Sequence, residues 1–260
     1  MQTPEGPAHV SALYRYPVKG LTPERLERVE VAPGETLPFD RAYAIENGPG
    51  RFDPDAPRHL PKISFLMLMR DERLATLRST FDDATHTLTI ARGGKPVVSG
   101  QLTTALGRQL VEQFIAAYMK AELRGAPKIV HAPGHSFSDV SAKCTHIINL
   151  ASVRELERTV GRTVDPLRFR ANIYVDGLPP WVELNWLDKE ISIGPARLAV
   201  FARTGRCEAT NVDPATGARD MALPAALLRT WGHPDFGIYA KVIAGGIIAT
   251  GAQVSVPAST

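Results

Sequence analysis

Only two of the 260 residues are cysteine, Cys144 and Cys207, and 63 positions separate them. So few excludes a disulfide framework and any CxxC-type metal knuckle, and points to a reduced compartment where a special cysteine acts through its thiolate. Net charge is scarce too. Thirty basic against 27 acidic residues leave +3, too little for nucleic acid but compatible with a local basic pocket for one anion. No apolar run approaches the roughly 18 residues of a membrane span. The opening MQTPEGPAHV is polar where a signal peptide would be apolar. The expectation is a cytoplasmic chain with neither membrane nor nucleic acid as partner. A Walker loop, a GxGxxG turn and a GxSxG elbow are all missing, which removes the common nucleotide-binding and hydrolase readings.

What is present is ordinary for a globular chain able to bury a sizeable core: 44% hydrophobic and 22% charged residues. The first hundred residues read as β, with VSALYRYPV, RLERVEV, RAYAIE, SFLMLMR and THTLTIARGGKPVVSG as strands, the last holding a Gly-Gly hairpin turn. LTTALGRQLVEQFIAAYM has helical periodicity, with Leu106, Leu110, Phe114 and Ala117 on one face and Thr103 or Thr104 as cap. HIINLA reads as a buried strand, followed by a short helix VRELERTV capped by Ser152 and ended by Gly161. NIYVDG, WVELNW, EISIGPARLAVFAR, IYAKVIA and AQVSVPA read as strands and PAALLRTWG as a helix. Strand and helix do not alternate regularly, which argues against a doubly wound parallel sheet. The pattern predicts a small β-rich region to about residue 100 and a larger barrel-like region after it.

The chemistry centres on RTGRCEATNVDPATG, residues 203–217. Cationic neighbours such as Arg203 and Arg206 favour the thiolate of Cys207. A thiolate is a soft metal ligand and a nucleophile; an inert buried cysteine is the alternative. Asp213 and Pro214 signal a type I turn. Cys144, with Lys143 its only charged neighbour within two positions, reads as structural. Lys19 and Gly20 follow a strand-ending proline, Arg41 opens a strand, and Arg168, Arg170 and Asn172 precede another. Singly each basic residue is a solvated surface charge. Jointly they could converge on a phosphate, which arginine grips bidentately and lysine as a point charge. His131 and His135 have metal-like spacing, but Pro133 and Gly134 between them forbid the helix that would align the rings.

In their order, YPVKG, FDRAYAI, FSDVS, FRANIYVDG and GRCEATNVDPATG resemble the MOSC family over roughly residues 8 to 256, the cysteine stretch being the most specific. The resemblance implies a β-rich α+β fold: an N-terminal MOSC β-barrel-like domain over 8–100, a MOSC domain with its β-barrel over 101–258, and a few peripheral helices. It implies a molybdopterin-type molybdenum cofactor, with Cys207 as metal ligand. Lys19, Arg41 and Arg170 fall on phosphate-gripping positions, and Ser141, Asn172 and Arg206 on pterin-lining ones. Two departures stand out against the amidoxime-reducing members: Gly20 replaces a serine beside the phosphate lysine, and Val140 replaces a threonine. The activity implied is reduction of N-oxygenated, N-hydroxylated compounds. The sequence ends at Thr260 without a four-cysteine ferredoxin module, so a separate flavin or iron–sulfur protein is expected as electron donor. Asp139 and Asp213 are candidates for proton delivery as well as for turn roles. The alternative is a carrier of molybdenum cofactor or persulfide sulfur without turnover, or a scaffold that has lost the cofactor.

Overall fold

The computed structural model describes residues 7–48 and 50–256. Four short strands come first: β1 (His9–Arg15), β2 (Glu24–Leu26), β3 (Arg28–Val31) and β4 (Ala44–Glu46). A meander of β5 (Arg78–Asp82), β6 (Thr87–Arg92) and β7 (Lys95–Gln101) follows, then α1 (Ala105–Tyr118) and β8 (Lys128–Val130). Next come β9 (Thr145–Asn149), α2 (Leu150–Val160), β10 (Ile173–Asp176), β11 (Glu190–Ile193) and β12 (Ala196–Gly205). The chain closes with α3 (Leu223–Trp231), β13 (Asp235–Ala244), β14 (Gly246–Ala249) and β15 (Val254–Ser255).

This is a β-rich α+β fold. Eight strands form one curled sheet in the order β15-β11-β12-β13-β9-β10-β1-β2. Its one parallel pair is β9–β10, crossed over by α2. The first strand of the chain therefore sits inside the C-terminal sheet, with Leu13 opposite Ile173. β9 is buried along its whole length, and its alternating side chains serve two cores. Ile147 joins Ile173, Leu198, Ile238 and Val242 on the inner face, while Ile148 joins Tyr174, Phe236, Leu156 and Leu227 under α2 and α3. A further core, around Tyr43, Leu66, Phe81, Ile90, Val111 and Ile115, unites the meander with α1.

Several expectations are corrected. SFLMLMR makes one bridge at Phe65 and otherwise runs as irregular chain, because Asp71 accepts the backbone N–H of Met67 and closes a turn there. WVELNW is a 3₁₀ segment, Val182–Trp186, which buries Glu183. RLERVEV breaks at Glu27: β2 pairs with β1 and β3 with β14. Helix α1 is capped by Thr104, whose side chain accepts from Gly107 N. It buries Gly107, Val111 and Ile115, leaving Leu106 67% and Leu110 43% exposed. Asn149, rather than Ser152, caps α2, accepting from Ala151 N at 3.0 Å; Ser152 lies in the first turn and bonds Glu183. Among the described residues no helix is long and apolar enough to cross a membrane.

Candidate functional site

The connection leaving β1 carries Lys19. Its backbone N–H bonds Tyr43 O at 2.9 Å, and Leu21 N closes back on Val18 O at 3.1 Å. Gly20 between them has φ +86°, and a Cβ there would sit 3.0 Å from the carbonyl oxygen of Leu66. The departure from serine thus accompanies a left-handed turn pressed against a neighbouring backbone, where any side chain is strained. Arg41 and Arg170 also have left-handed backbones, with φ of 51° and 52°. Arg170 is the residue that ends a 3₁₀ turn at Pro166–Phe169. Asn172 is fully enclosed and ties three elements together: it accepts from His146 N at 3.1 Å and donates to Tyr14 O at 3.2 Å. Cys207 follows the end of β12 and opens the short turn Glu208–Asn211, its carbonyl accepting from Thr210 N and Oγ1.

These stretches, distant in sequence, line one cleft. Lys19, Gly20, Arg41, Asp139, Arg170, Asn172, Arg206 and Cys207 all border it. Two candidates stand outside the lining: Ser141 is exposed, and Asp213 accepts from Ala215 N, Thr216 N and Thr216 Oγ1 in its own turn and from the cleft-lining Arg168 at 3.1 Å. Arg203 is exposed and donates to Leu184 O, so Arg206 alone of the flanking pair borders the cleft with Cys207. Sequence reasoning missed Asp40, Lys62, Met67, Leu68, Met69, His146 and Tyr239, which also border the cleft, and Arg168 joins them while paired with Asp213 and Asp220. Cys144 borders it as well, but burial pushes its thiol up to about 12, and it stays protonated. His131 and His135 are engaged in packing, the first stacked 4.6 Å from Tyr43 and the second against Phe52 and Phe137.

The electrostatics are lopsided. Arg41 donates twice to Asp40, at 2.7 and 2.6 Å, and once to Arg170 O at 2.8 Å. Burial opposes its charge, yet Asp40 outweighs burial and keeps the guanidinium firmly protonated. Lys19 donates to Phe137 O at 2.9 Å and pairs with Asp139, while burial lowers its pKa. Desolvation works against the Asp139 carboxylate, but Lys19 overcomes it and holds the pKa at about 2. Among the described residues neither Arg170 nor Arg206 has a carboxylate within 4.0 Å. Burial brings Arg170 down to about 10 and lowers Arg206 too. Arg206 donates to Phe169 O at 2.8 Å and lies 3.3 Å from His146 Nε2. Burial and Arg206 hold His146 far below its ordinary value, so the ring is neutral and Nε2 accepts.

Six cations, Lys19, Arg41, Lys62, Arg168, Arg170 and Arg206, thus border the cleft with two carboxylates, Asp40 and Asp139. The buried Nε of Arg206, beside the only half-exposed thiol, has no hydrogen-bond partner. An unpaired buried donor and surplus buried positive charge are costly unless an anion completes them. Among the described residues no group of three or more His, Cys, Asp or Glu could hold a metal ion. One half-exposed cysteine in a cation-rich cleft fits a metal that arrives already bound to an anionic ligand, with the cysteine sulfur completing its coordination.

Fold and cleft together define a β-rich protein with a half-exposed thiol bordering a cation-rich cleft. The family models agree: the MOSC N-terminal beta barrel domain matches residues 7–125 and the MOSC domain residues 133–255. Together they span most of the chain, and the protein belongs to the MOSC family. Among curated relatives, the molybdenum cofactor sulfurase of Caenorhabditis elegans is 40% identical over 99 residues, 36% of this chain and 14% of that protein. The molybdenum cofactor sulfurase of Homo sapiens is 24% identical over 251 residues, 83% of this chain and 28% of that protein. Mitochondrial amidoxime-reducing component 1 of Mus musculus is 28% identical over 113 residues, 44% of this chain and 30% of that protein. The matched part is under a third of each relative. Among solved structures, the YuaD protein from Bacillus subtilis aligns over 96% of both chains at 13% identity, with a TM-score of 0.45.

Proposed function

We propose that this chain holds a molybdopterin-type molybdenum cofactor in the cleft and reduces N-oxygenated compounds with electrons from a separate redox protein. One observation carries the reading. Lys19, Arg41 and Arg170, from three distant stretches, border the same cleft as Cys207, and among the described residues Arg170 and Arg206 there have no carboxylate within 4.0 Å. Names borne by relatives point the same way, both toward molybdenum cofactor and toward amidoxime reduction.

Lys19, Arg41 and Arg170 grip the phosphate, replacing its water with charge-assisted hydrogen bonds. Cys207 would hold the metal through its sulfur, and the unpartnered Nε of Arg206 would donate to the pterin. Asn172, itself on the cleft wall, also fixes the backbones of His146 and Tyr14 through its side-chain hydrogen bonds. Met67, Leu68 and Met69 form an apolar wall that excludes water and receives the carbon skeleton of the substrate. Asp139 is ionised and paired at neutral pH, so it serves as the counter-ion of Lys19 and has no proton to deliver. Reduction of an N-hydroxyl compound takes two electrons and two protons, breaks the N–O bond and releases water. The bound cofactor supplies that oxygen-atom chemistry, and the protein supplies binding and orientation.

A carrier of cofactor or sulfur without turnover is the second reading, favoured by the human sulfurase match over 83% of the chain. The test uses protein with about one molybdenum per chain, assayed anaerobically with a reduced viologen against benzamidoxime and hydroxylamine. Multiple turnovers are expected. Full metal loading with no turnover on any N-oxygenated substrate would establish the carrier instead.

A further inference from the structure

Outside the lining of the cleft lies the side chain that opens the YPVKG stretch, to which no role has been given so far. Tyr16 is fully buried, 0% exposed. The guanidinium carbons of Arg41 and Arg170 sit 4.4 and 4.3 Å from the centroid of its ring. The backbone around it is pinned. Tyr16 N donates to Asp40 Oδ1 at 2.9 Å, Arg41 N donates to Tyr16 O at 2.8 Å, and the phenol donates to Ala171 O at 3.3 Å. The ring thus has fixed contacts to the residues next to both arginines.

We propose that Tyr16 is the positioning residue of the anion site: its ring holds Arg41 and Arg170 together, aimed at one phosphate, before any ligand arrives. The proposal rests on the phosphate-site reading above. Two guanidinium groups this close repel each other, and only Arg41 has a carboxylate to offset its charge. The π-face of a desolvated ring attracts both cations through its quadrupole and adds no negative charge that would compete with a phosphate. A carboxylate there would neutralise the site it was meant to build. Arginine side chains are rich in rotamers, and fixing them in advance removes an entropy cost from binding. Tyr16 touches neither ligand nor metal, so its part is pre-organisation.

The test reads binding of inorganic phosphate to the full, cofactor-free chain by titration calorimetry. Tyr16→Phe keeps the π-face and loses the phenol's long hydrogen bond to Ala171 O and its contact with the Tyr174 hydroxyl. It should bind within about twofold of the parent. Phenylalanines carrying one, two and three ring fluorines at position 16 keep the shape while draining the π-face. Affinity should fall stepwise, by about tenfold at the third fluorine, with an unchanged circular dichroism spectrum. A tyrosine that merely packs would give a flat series, and a flat series overturns the proposal. If the unmodified chain binds no phosphate at all, the phosphate site itself falls and Tyr16 loses its role with it.

Discussion

Asp139 shows how one carboxylate sets the state of the anion site. With its pKa held at about 2, it is ionised throughout the neutral range and competes with any phosphate for Lys19. Asp139→Asn should therefore tighten inorganic phosphate by about fivefold near pH 7, since a half-exposed charge pair is worth roughly 1 kcal/mol. The same change leaves a buried ammonium without its partner and should lower the melting temperature. Unchanged or weaker phosphate binding would show that Asp139 does not guard Lys19. At this scale the sequence was informative about identity and silent about aim. Lys19, Arg41, Arg170 and Cys207 stand in legible motifs, yet it takes the pairing of β1 with β10 and the bonds Arg41 N to Tyr16 O and Lys19 N to Tyr43 O to bring the first three together. Ser141 sits two residues from Asp139 and points away, which no local pattern reveals. His146 lies in a fully buried strand that reads as core, so nothing marks it as a neighbour of Arg206.

Among the elements, α1 and β7 illustrate a contact that propensity alone would misjudge. A Cβ on Gly107 would lie 2.1 Å from Gln101 O, and one on Gly100 would lie 2.2 Å from Gly107 O. Helix and strand here touch backbone to backbone. Alanine in a helix normally gains about 1 kcal/mol over glycine, but no rotamer relieves a backbone clash. Gly107→Ala should thus destabilise the chain by about 3 kcal/mol in urea unfolding, the magnitude of severe overpacking. A stabilised variant would show that α1 does not sit on β7 as described. This contact explains why apolar periodicity misled: the helix turns Gly107, Val111 and Ile115 inward, and Leu106 and Leu110 remain outside. Period alone cannot choose between adjacent faces when a glycine makes the closest approach. SFLMLMR fails for a related reason, since Asp71 captures Met67 N and so ends the extended run. The Gly93–Gly94 hairpin and the helices stopped at Gly161 and Gly232 were legible because their signals are local.

For the whole molecule, Glu183 ties the 3₁₀ segment to the parallel crossover. It is wholly buried and accepts from Ser152 Oγ at 2.7 Å and Asn149 Nδ2 at 3.0 Å. Burial raises its pKa above the ordinary glutamate value. A carboxyl raised on folding stabilises fully below the unfolded pKa, and that contribution is lost as pH rises through the folded pKa. Glu183→Gln removes the titration and keeps a group able to bond both neighbours. Its stability relative to the parent should climb with pH from about 4.5, at up to roughly 1.4 kcal/mol per unit, then level off. A difference that stays flat from pH 4 to 8 would mean that Glu183 titrates alike folded and unfolded. The sequence expectation of a strand at WVELNW concealed this residue, because alternation counts apolar positions and not the partners of a polar one.

The account as a whole stands on Cys207 as a metal ligand inside a cationic cleft shared by both ends of the chain. Molybdenum K-edge X-ray absorption on protein with about one metal per chain tests it most directly. The parent should show one more sulfur neighbour at the metal than Cys207→Ser, both having the same circular dichroism spectrum. Cys144→Ala, whose protonated thiol stays with the core, should match the parent. An equal sulfur count in the parent and in Cys207→Ser would contradict the assignment.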